Sequence, residues 1–303
     1  MISGNDRWST RRSQDRLKLA TRCAPGADSA RAVVFTTATE EGMVTSRDVV
    51  VAELWRYPVK SMQGERLPAV NVHADGLDGD RRWGVRDELT GRVLTGRREA
   101  RLLEATASLG GGAEPVIELP DGTALVGVGD ATDTALSDWL ARPVRLVEAS
   151  AHGDRAEYFA DPTDDASEAI EWTMPPERFV DAMPLLLMTT ASLRAGAALH
   201  PAGVWDVRRF RPNVLLDLPG DGWLEDDWCG RVVRVGEVKV VPQQPCIRCT
   251  MVTRSQPGLA RDLDVYRTLA RHHGGNLGVW TTVSSGGTIA ENDIAHLVAV
   301  NLP

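Results

Sequence analysis

Apolar and polar positions alternate in short runs along most of the chain, and few stretches keep the three-to-four-residue recurrence of a helix. Residues 49–56 are β-branched and apolar, and predict a strand that ends at Tyr57-Pro58, because proline forbids a helix through that point. Residues 66–72 predict a second strand. Asp75-Gly76-Leu77-Asp78-Gly79-Asp80 is turn chemistry; its three aspartates lack the later glutamate and flanking helices of a calcium loop. Residues 82–86 and 92–95 flank a hairpin turn at 87–91, and short strands alternate with glycine-rich turns over 102–128.

Helical periodicity is confined to three places. Residues 130–141 put Leu136, Trp139 and Leu140 on one face, with Asp130 or Thr132 as cap. A second helix is expected over 190–199, and a third over 261–273 with Leu263, Tyr266, Leu269 and Ala270 on one side. Between them, 144–148, 185–188, 214–218, 278–283 and 294–300 predict strands, and 232–241 a strand pair turned at Gly236-Glu237. Residues 154–178 are acidic and aperiodic and predict a long connection between two halves. Many short strands with so few helices predict a mainly β (α+β) protein, barrel-like, with helices at one end. The expected division is a leader or misassigned start over 1–43, a β domain over 44–165 and a core domain over 166–303.

Composition narrows the function classes. The chain has 303 residues, 43% of them hydrophobic and 25% charged, as in ordinary globular proteins. A formal charge of −8 disfavours nucleic acid as partner. No stretch approaches the about 18 apolar residues of a membrane span. Four cysteines without a paired framework predict a reducing compartment, the cytoplasm by default. Arg7, Arg11, Arg12, Arg16, Lys18 and Arg22 lie among serines and threonines; that bias matches a transit peptide or a plain disordered leader, with Met43 just ahead of the first strand.

Candidate chemistry starts at Cys246-Ile247-Arg248-Cys249. On an extended chain the two thiols point opposite ways, Cys249 sharing a face with Ile247 and Met251, and Arg248 with Thr250. A structural zinc site would need a second cysteine pair, yet the others, Cys23 and Cys229, are far apart. A thioredoxin-like dithiol would open a helix early in a βαβ unit, and this motif comes late, among strands. Two inert buried thiols stay open as the plain alternative. His272-His273 are adjacent on a helix and point apart, so both do not ligate one metal. Arg208, Arg209 and Arg211 beside the apolar run 214–218 must reach solvent or meet an anion.

Several further pieces carry a family likeness. They are Tyr57-Pro58-Val59-Lys60-Ser61, Gly79-Asp80-Arg81-Arg82-Trp83 and Thr95-Gly96-Arg97-Arg98-Glu99-Ala100-Arg101-Leu102. Arg209-Phe210-Arg211-Pro212-Asn213, the CxxC, Asn276-Leu277-Gly278-Val279-Trp280 and Gly286-Gly287-Thr288-Ile289 follow in order. In order and spacing they resemble the MOSC family, the molybdenum cofactor sulfurase C-terminal domain proteins, in the branch with the mitochondrial amidoxime-reducing component and its bacterial relatives. The resemblance runs over roughly residues 48 to 300.

The resemblance implies a small N-terminal β domain against a MOSC β-barrel core, with the molybdenum cofactor between them. It implies Cys249 as the protein's thiolate ligand to molybdenum and the catalytic residue. Lys60, Arg81, Arg97, Arg209, Arg211 and Arg248 would face the anionic molybdopterin, helped by Ser61, Thr95 and Asn213. The implied activity is a molybdenum-dependent oxidoreductase that removes oxygen from N-hydroxylated or N-oxide groups, releasing water. No haem, flavin, nicotinamide or iron–sulfur motif and no pyridoxal-phosphate domain is evident, so electrons are expected from a separate ferredoxin-like or flavin reductase. Two departures stand out: Asp181-Ala182-Met183-Pro184 where some relatives have hydroxyl residues beside the cofactor, and Glu291-Asn292-Asp293 in the closing turn. Sulfur carriage on Cys249 and cofactor binding without turnover are the alternatives.

Overall fold

The computed structural model describes residues 49–159, 161, 164 and 166–298, so the expectations for 1–43, for Cys23 and for the end of the last strand lie outside it. β1 (Val49–Arg56) alternates buried and half-buried positions, as its sequence requires. The strand expected over 66–72 is two, β2 (Glu65–Leu67) and β3 (Ala69–His73), because Pro68 has no N–H to continue a ladder. β4 (Gly76–Leu77) pairs back on β3. β5 (Trp83–Asp87) forms, but of residues 92–95 only Val93 makes bridges, to Arg86 and Ala156. The stretch from 102 opens in a 3-10 turn (Ala100–Glu104), followed by β6 (Thr106–Ser108), β7 (Val116–Glu118) and β8 (Ala124–Val126).

Helix α1 (Asp130–Leu140) buries Leu136 and Leu140, but neither Asp130 nor Thr132 caps it. Gly129 holds the cap position, and the Thr132 hydroxyl bonds the Gly127 carbonyl instead. After β9 (Val144–Glu148) comes a correction. Part of the expected connection is the hairpin β10 (Arg155–Phe159) and β11 (Ala169–Thr173). Its strand pattern is masked in sequence because its acidic positions, Glu157 and Glu171, are matched by Arg92 from outside the hairpin.

In the second half β12 (Leu185–Thr189) is buried throughout, and the Thr189 side chain caps α2 (Thr190–Leu199). The one-turn helix α3 (Val207–Phe210) precedes β13 (Val214–Asp217), and a 3-10 turn (Leu224–Trp228) leads to β14 (Val233–Val235). β15 (Val238–Ile247) runs through both prolines and Cys246 to the edge of the CxxC, followed by a 3-10 turn (Thr250–Thr253). Helix α4 (Leu263–His272) buries Val265, Thr268 and Leu269, while Leu263 and Ala270 are exposed; the apolar face is rotated from the one expected. β16 (Asn276–Ser285), β17 (Gly287–Ala290) and β18 (Ile294–Leu297) follow.

The protein is mainly β, with four helices among the described residues. The strands β13-β12-β16-β15-β14-β18-β1 are neighbours in that order, and β1 also pairs with β13, closing a seven-stranded barrel. Among the described barrel strands only β12 and β13 run parallel. Closure matters for the site: β1, from the first half, is a stave of the barrel, and it delivers Tyr57 to Gln63 directly against the second half. A separate apolar cluster of Val59, Met62, Trp83, Leu102, Ile117, Leu136 and others fills the small-sheet side of the first half. Another, under α4, contains Leu186, Met188, Phe210, Cys246 and Leu269.

Candidate functional site

Cys249 follows the last residues of β15, where the ladder has ended, and it opens the 3-10 turn. Strand alternation therefore stops governing it: Ile247 is 52% exposed while Cys249 is 8% exposed, so the face expected to be shared is not. Cys246 does point away, into the apolar cluster under α4, and burial pushes its thiol up to about 11. The two thiols have different surroundings, set by the end of the ladder and the turn that follows it rather than by strand alternation.

Arg97 meets the sulfur of Cys249. Its Nε donates to Sγ at 3.1 Å, its Nη2 reaches Asp181 Oδ2 at 3.2 Å, and its guanidinium lies 4.2 Å over the ring of Tyr158. Asp181 also accepts from Lys60 Nζ at 2.7 Å and from the Tyr158 hydroxyl at 2.7 Å. Lys60 gives another hydrogen bond to the Phe179 carbonyl at 2.9 Å. Burial opposes the charge of Asp181, but Lys60 and Arg97 outweigh it and hold the carboxyl well below the usual range. Its side chain is still 42% exposed, so water screens part of that attraction. Burial lowers Lys60, with Asp181 offsetting part of the effect. Burial likewise works against Arg97, and the charges of Cys249 and Asp181 more than restore it.

A second layer adjoins this one. Arg81 pairs with Asp80 and donates to Asn213 Oδ1 and the Arg211 carbonyl, while Asn213 receives Leu186 N and donates to Trp55 O. The guanidinium carbons of Arg81 and Arg211 lie 4.8 and 4.2 Å from the centre of the Tyr57 ring. Arg211 is 8% exposed, and its side chain makes one hydrogen bond, Nη1 to the Met62 carbonyl at 2.6 Å, with no carboxylate partner among the described residues. Burial accordingly pushes it down to about 10. A buried cation without a counter-charge is costly unless an anion comes to meet it. Ser61, Arg81 and Arg211 all have positive φ, at 70°, 49° and 56°. For residues with a Cβ that conformation costs about 1 kcal/mol each, and such strain concentrates at functional sites.

The remaining candidates are placed differently. Ser61 Oγ accepts from Gly96 N at 2.8 Å and the Thr95 hydroxyl reaches the Glu157 carbonyl at 3.3 Å, so both secure loops around Arg97. Arg209 spends its N–H groups on the carbonyls of Val204, Val252, Arg254 and Ala260. Arg248 does the same with Leu277 and Phe210. These two clamp the backbone on either side of Cys249 and are not brought to its sulfur; the choice between solvent and an anion omitted carbonyl oxygens as a third way to satisfy a guanidinium. Asp206 takes up Arg208.

Sequence reasoning did not select Tyr158, Asp181 or Tyr266. Burial first, then the charge of Cys249, raises the hydroxyl of Tyr266, which lies beside Gly275. Tyr158 lies on a strand read as a connection, and Asp181 was noted only as a departure. An acidic residue just before a buried apolar strand was the available signal for Asp181.

Family models match both halves of the chain. The description "MOSC N-terminal beta barrel domain" matches residues 48–162 and "MOSC domain" matches residues 176–295. The chain belongs to the MOSC family. Among relatives, it is 28% identical over 259 residues to a Drosophila grimshawi protein named molybdenum cofactor sulfurase, covering 73% of this chain and 30% of that one. It is 27% identical over 238 residues to the human mitochondrial amidoxime-reducing component 1, covering 67% and 65%. The mouse counterpart gives 27% over 231 residues, with the same shares. The MOSC chain thus spans less than two thirds of the length of each of these relatives.

Whether its residues fit a molybdenum cofactor is a question for the site itself. Among the described residues no group of three or more His, Cys, Asp or Glu could hold a metal ion, so a metal here would bring most of its own ligands. One buried sulfur with a guanidinium donor suits a single bond to a soft metal. The unpaired Arg211, with Lys60 and Arg81 in electrostatic reach of the same centre, suits an anionic carrier. The residues fit the group.

Proposed function

We propose that this MOSC protein holds a molybdenum cofactor between its two halves and reduces N-hydroxylated or N-oxide compounds. The single observation that supports it most is Cys249 Sγ, buried and bonded to Arg97 at 3.1 Å; in the adjoining layer Arg211 is buried with no carboxylate partner among the described residues. When bound, the cofactor supplies the two electrons that an N–O cleavage needs, the hard chemistry that protein side chains lack. The chain's own groups do the rest. Cys249 gives one thiolate ligand, and Arg97 fixes the direction of its sulfur through Nε. Lys60, Arg81 and Arg211 supply positive charge for phosphate and pterin oxygens, with Asn213 as a neutral partner. Asp181 keeps Lys60 and Arg97 from repelling one another, and Tyr158 braces both the carboxylate and the guanidinium.

Electrons come from a separate ferredoxin-like or flavin reductase, and the substrate is a small N-oxygenated molecule. No helix among the described residues is long and apolar enough to cross a membrane; the cytoplasm is the proposed compartment.

The test is elemental analysis of protein made in hosts with and without a working pterin-cofactor pathway, joined to benzamidoxime turnover with a supplied reductant. Molybdenum is expected only in the first host, lost in Cys249→Ala and retained in Cys246→Ala. Equal loss from both variants would point to a dithiol or zinc site instead. A persulfide on Cys249 without molybdenum would favour sulfur carriage, and metal without turnover would leave a cofactor binder.

A further inference from the structure

His273, just past the end of α4, is outside the proposed site, yet the turn it opens is hydrogen-bonded to Arg248, the residue before Cys249. Its Nδ1 lies 2.8 Å from the Asn276 carbonyl and its Nε2 2.7 Å from Asp226 Oδ2. A carbonyl oxygen only accepts, so Nδ1 carries a proton. Between an imidazole nitrogen and a carboxylate the proton belongs on the more basic nitrogen, so Nε2 carries one as well. The Trp223 ring stacks on the imidazole with centroids 4.4 Å apart. The other Asp226 oxygen, Oδ1, is buried without a partner, which leaves the imidazolium as the counter-charge the carboxylate contacts.

Beyond the ring, the turn Gly274-Gly275 takes φ of 58° and 81°, conformations that favour glycine. Asn276 N returns to the His273 carbonyl at 3.0 Å, closing the turn, and Asn276 pairs with Ile247 across the β15–β16 ladder. The Gly275 carbonyl receives Arg248 N at 2.8 Å, and the next residue is Cys249.

We infer that His273, held as a doubly protonated imidazolium between Asp226 and Asn276, is a positioning residue that sets where the sulfur of Cys249 stands. The inference goes beyond the proposed activity and holds whichever group the sulfur carries. The charged groups facing the ring are Asp226, in contact, and Glu225, in electrostatic reach, both on the 3-10 turn before Cys229; β16 presents the Asn276 carbonyl. Burial lowers His273, but the bond to Asp226 outweighs it and the ring's value is raised. The strut is therefore intact at pH below the raised value and is lost as pH rises through it.

Nitrogen NMR on the full chain tests this, with the His273 signal assigned by its loss in His273→Gln. Both ring nitrogens are expected to be protonated at neutral pH, and Asp226→Asn to shift the titration downward. N-ethylmaleimide labelling reads the consequence, since trypsin cuts after Arg248 and places Cys246 and Cys249 on different peptides. Labelling of Cys249 is expected to rise about three- to tenfold at neutral pH in Asp226→Asn, the weight of one hydrogen bond. In the parent protein the same rise is expected as an added step at the pH where His273 titrates. A neutral ring in the parent at neutral pH overturns the inference. So does a parent labelling profile with no step at the His273 titration, which decides the matter even where a variant does not fold.

Discussion

Arg97 joins the sulfur of Cys249 to the carboxylate of Asp181, with Nε on the one at 3.1 Å and Nη2 on the other at 3.2 Å. The guanidinium comes from the first half of the chain, and the thiol and the carboxylate from the second, the carboxylate just ahead of β12. Asp181→Asn removes the counter-charge of both Lys60 and Arg97. Because the carboxyl's value is depressed, its contribution is present above the unfolded value of about 4 and is lost as pH falls further. Urea titrations are expected to show the Asn variant less stable by about 1 kcal/mol at neutral pH, a figure kept small because the side chain is partly exposed. The gap should stay level down to about pH 4 and close below it.

Glu225 is fully buried and receives the hydroxyls of Thr189 at 2.8 Å and Ser192 at 2.6 Å. Burial pushes its carboxyl up to about 7. A raised carboxyl binds its proton in the folded state only, so its contribution is complete below the unfolded value and disappears as pH climbs to about 7. Glu225→Gln removes that slope. Relative to the parent, the Gln variant should gain about 2–3 kcal/mol between mildly acidic and mildly alkaline pH, read from melting at each pH.

Gly278 has φ of 73°, and a Cβ there would overlap Met188 Cγ and sit 2.8 Å from the Leu187 carbonyl. Neither backbone nor neighbour has room to give. Gly278→Ala should cost about 2–4 kcal/mol, from the left-handed conformation and the collision together, and lower the melting temperature accordingly.

Cys246 packs among Leu186, Met188 and Phe210, and its high value keeps it a thiol at neutral pH. Cys246→Ala should cost about 1 kcal/mol for the lost contacts, while maleimide labelling of Cys249 stays at the parent rate.

Much of the barrel was legible from local pattern. The runs at 49–56, 185–188 and 232–241 are rich in β-branched or apolar residues, and their apolar positions are buried or half-buried in the barrel ladders. The hairpin β10–β11 was not legible, because its charged positions are matched by Arg92 from elsewhere, a relation no window can contain. The face of α4 was misplaced because an exposed leucine, Leu263, looks the same in sequence as a buried one. At the site, residue types pointed to Lys60, Arg97 and Cys249, which the fold brings around Asp181. They also pointed to Arg209 and Arg248, whose N–H groups go to carbonyls.

By itself the sequence determined the family and the mainly β class, since these follow from residue order, side-chain alternation and turn chemistry within short windows. Only the tertiary structure decided which guanidiniums keep an uncompensated charge. That depends on which carbonyls and carboxylates the closed barrel brings within hydrogen-bond reach, and a residue's identity does not record its partners. Arg211 and Arg209 are two positions apart; one faces a single carbonyl and an aromatic ring, and the other is surrounded by four carbonyls.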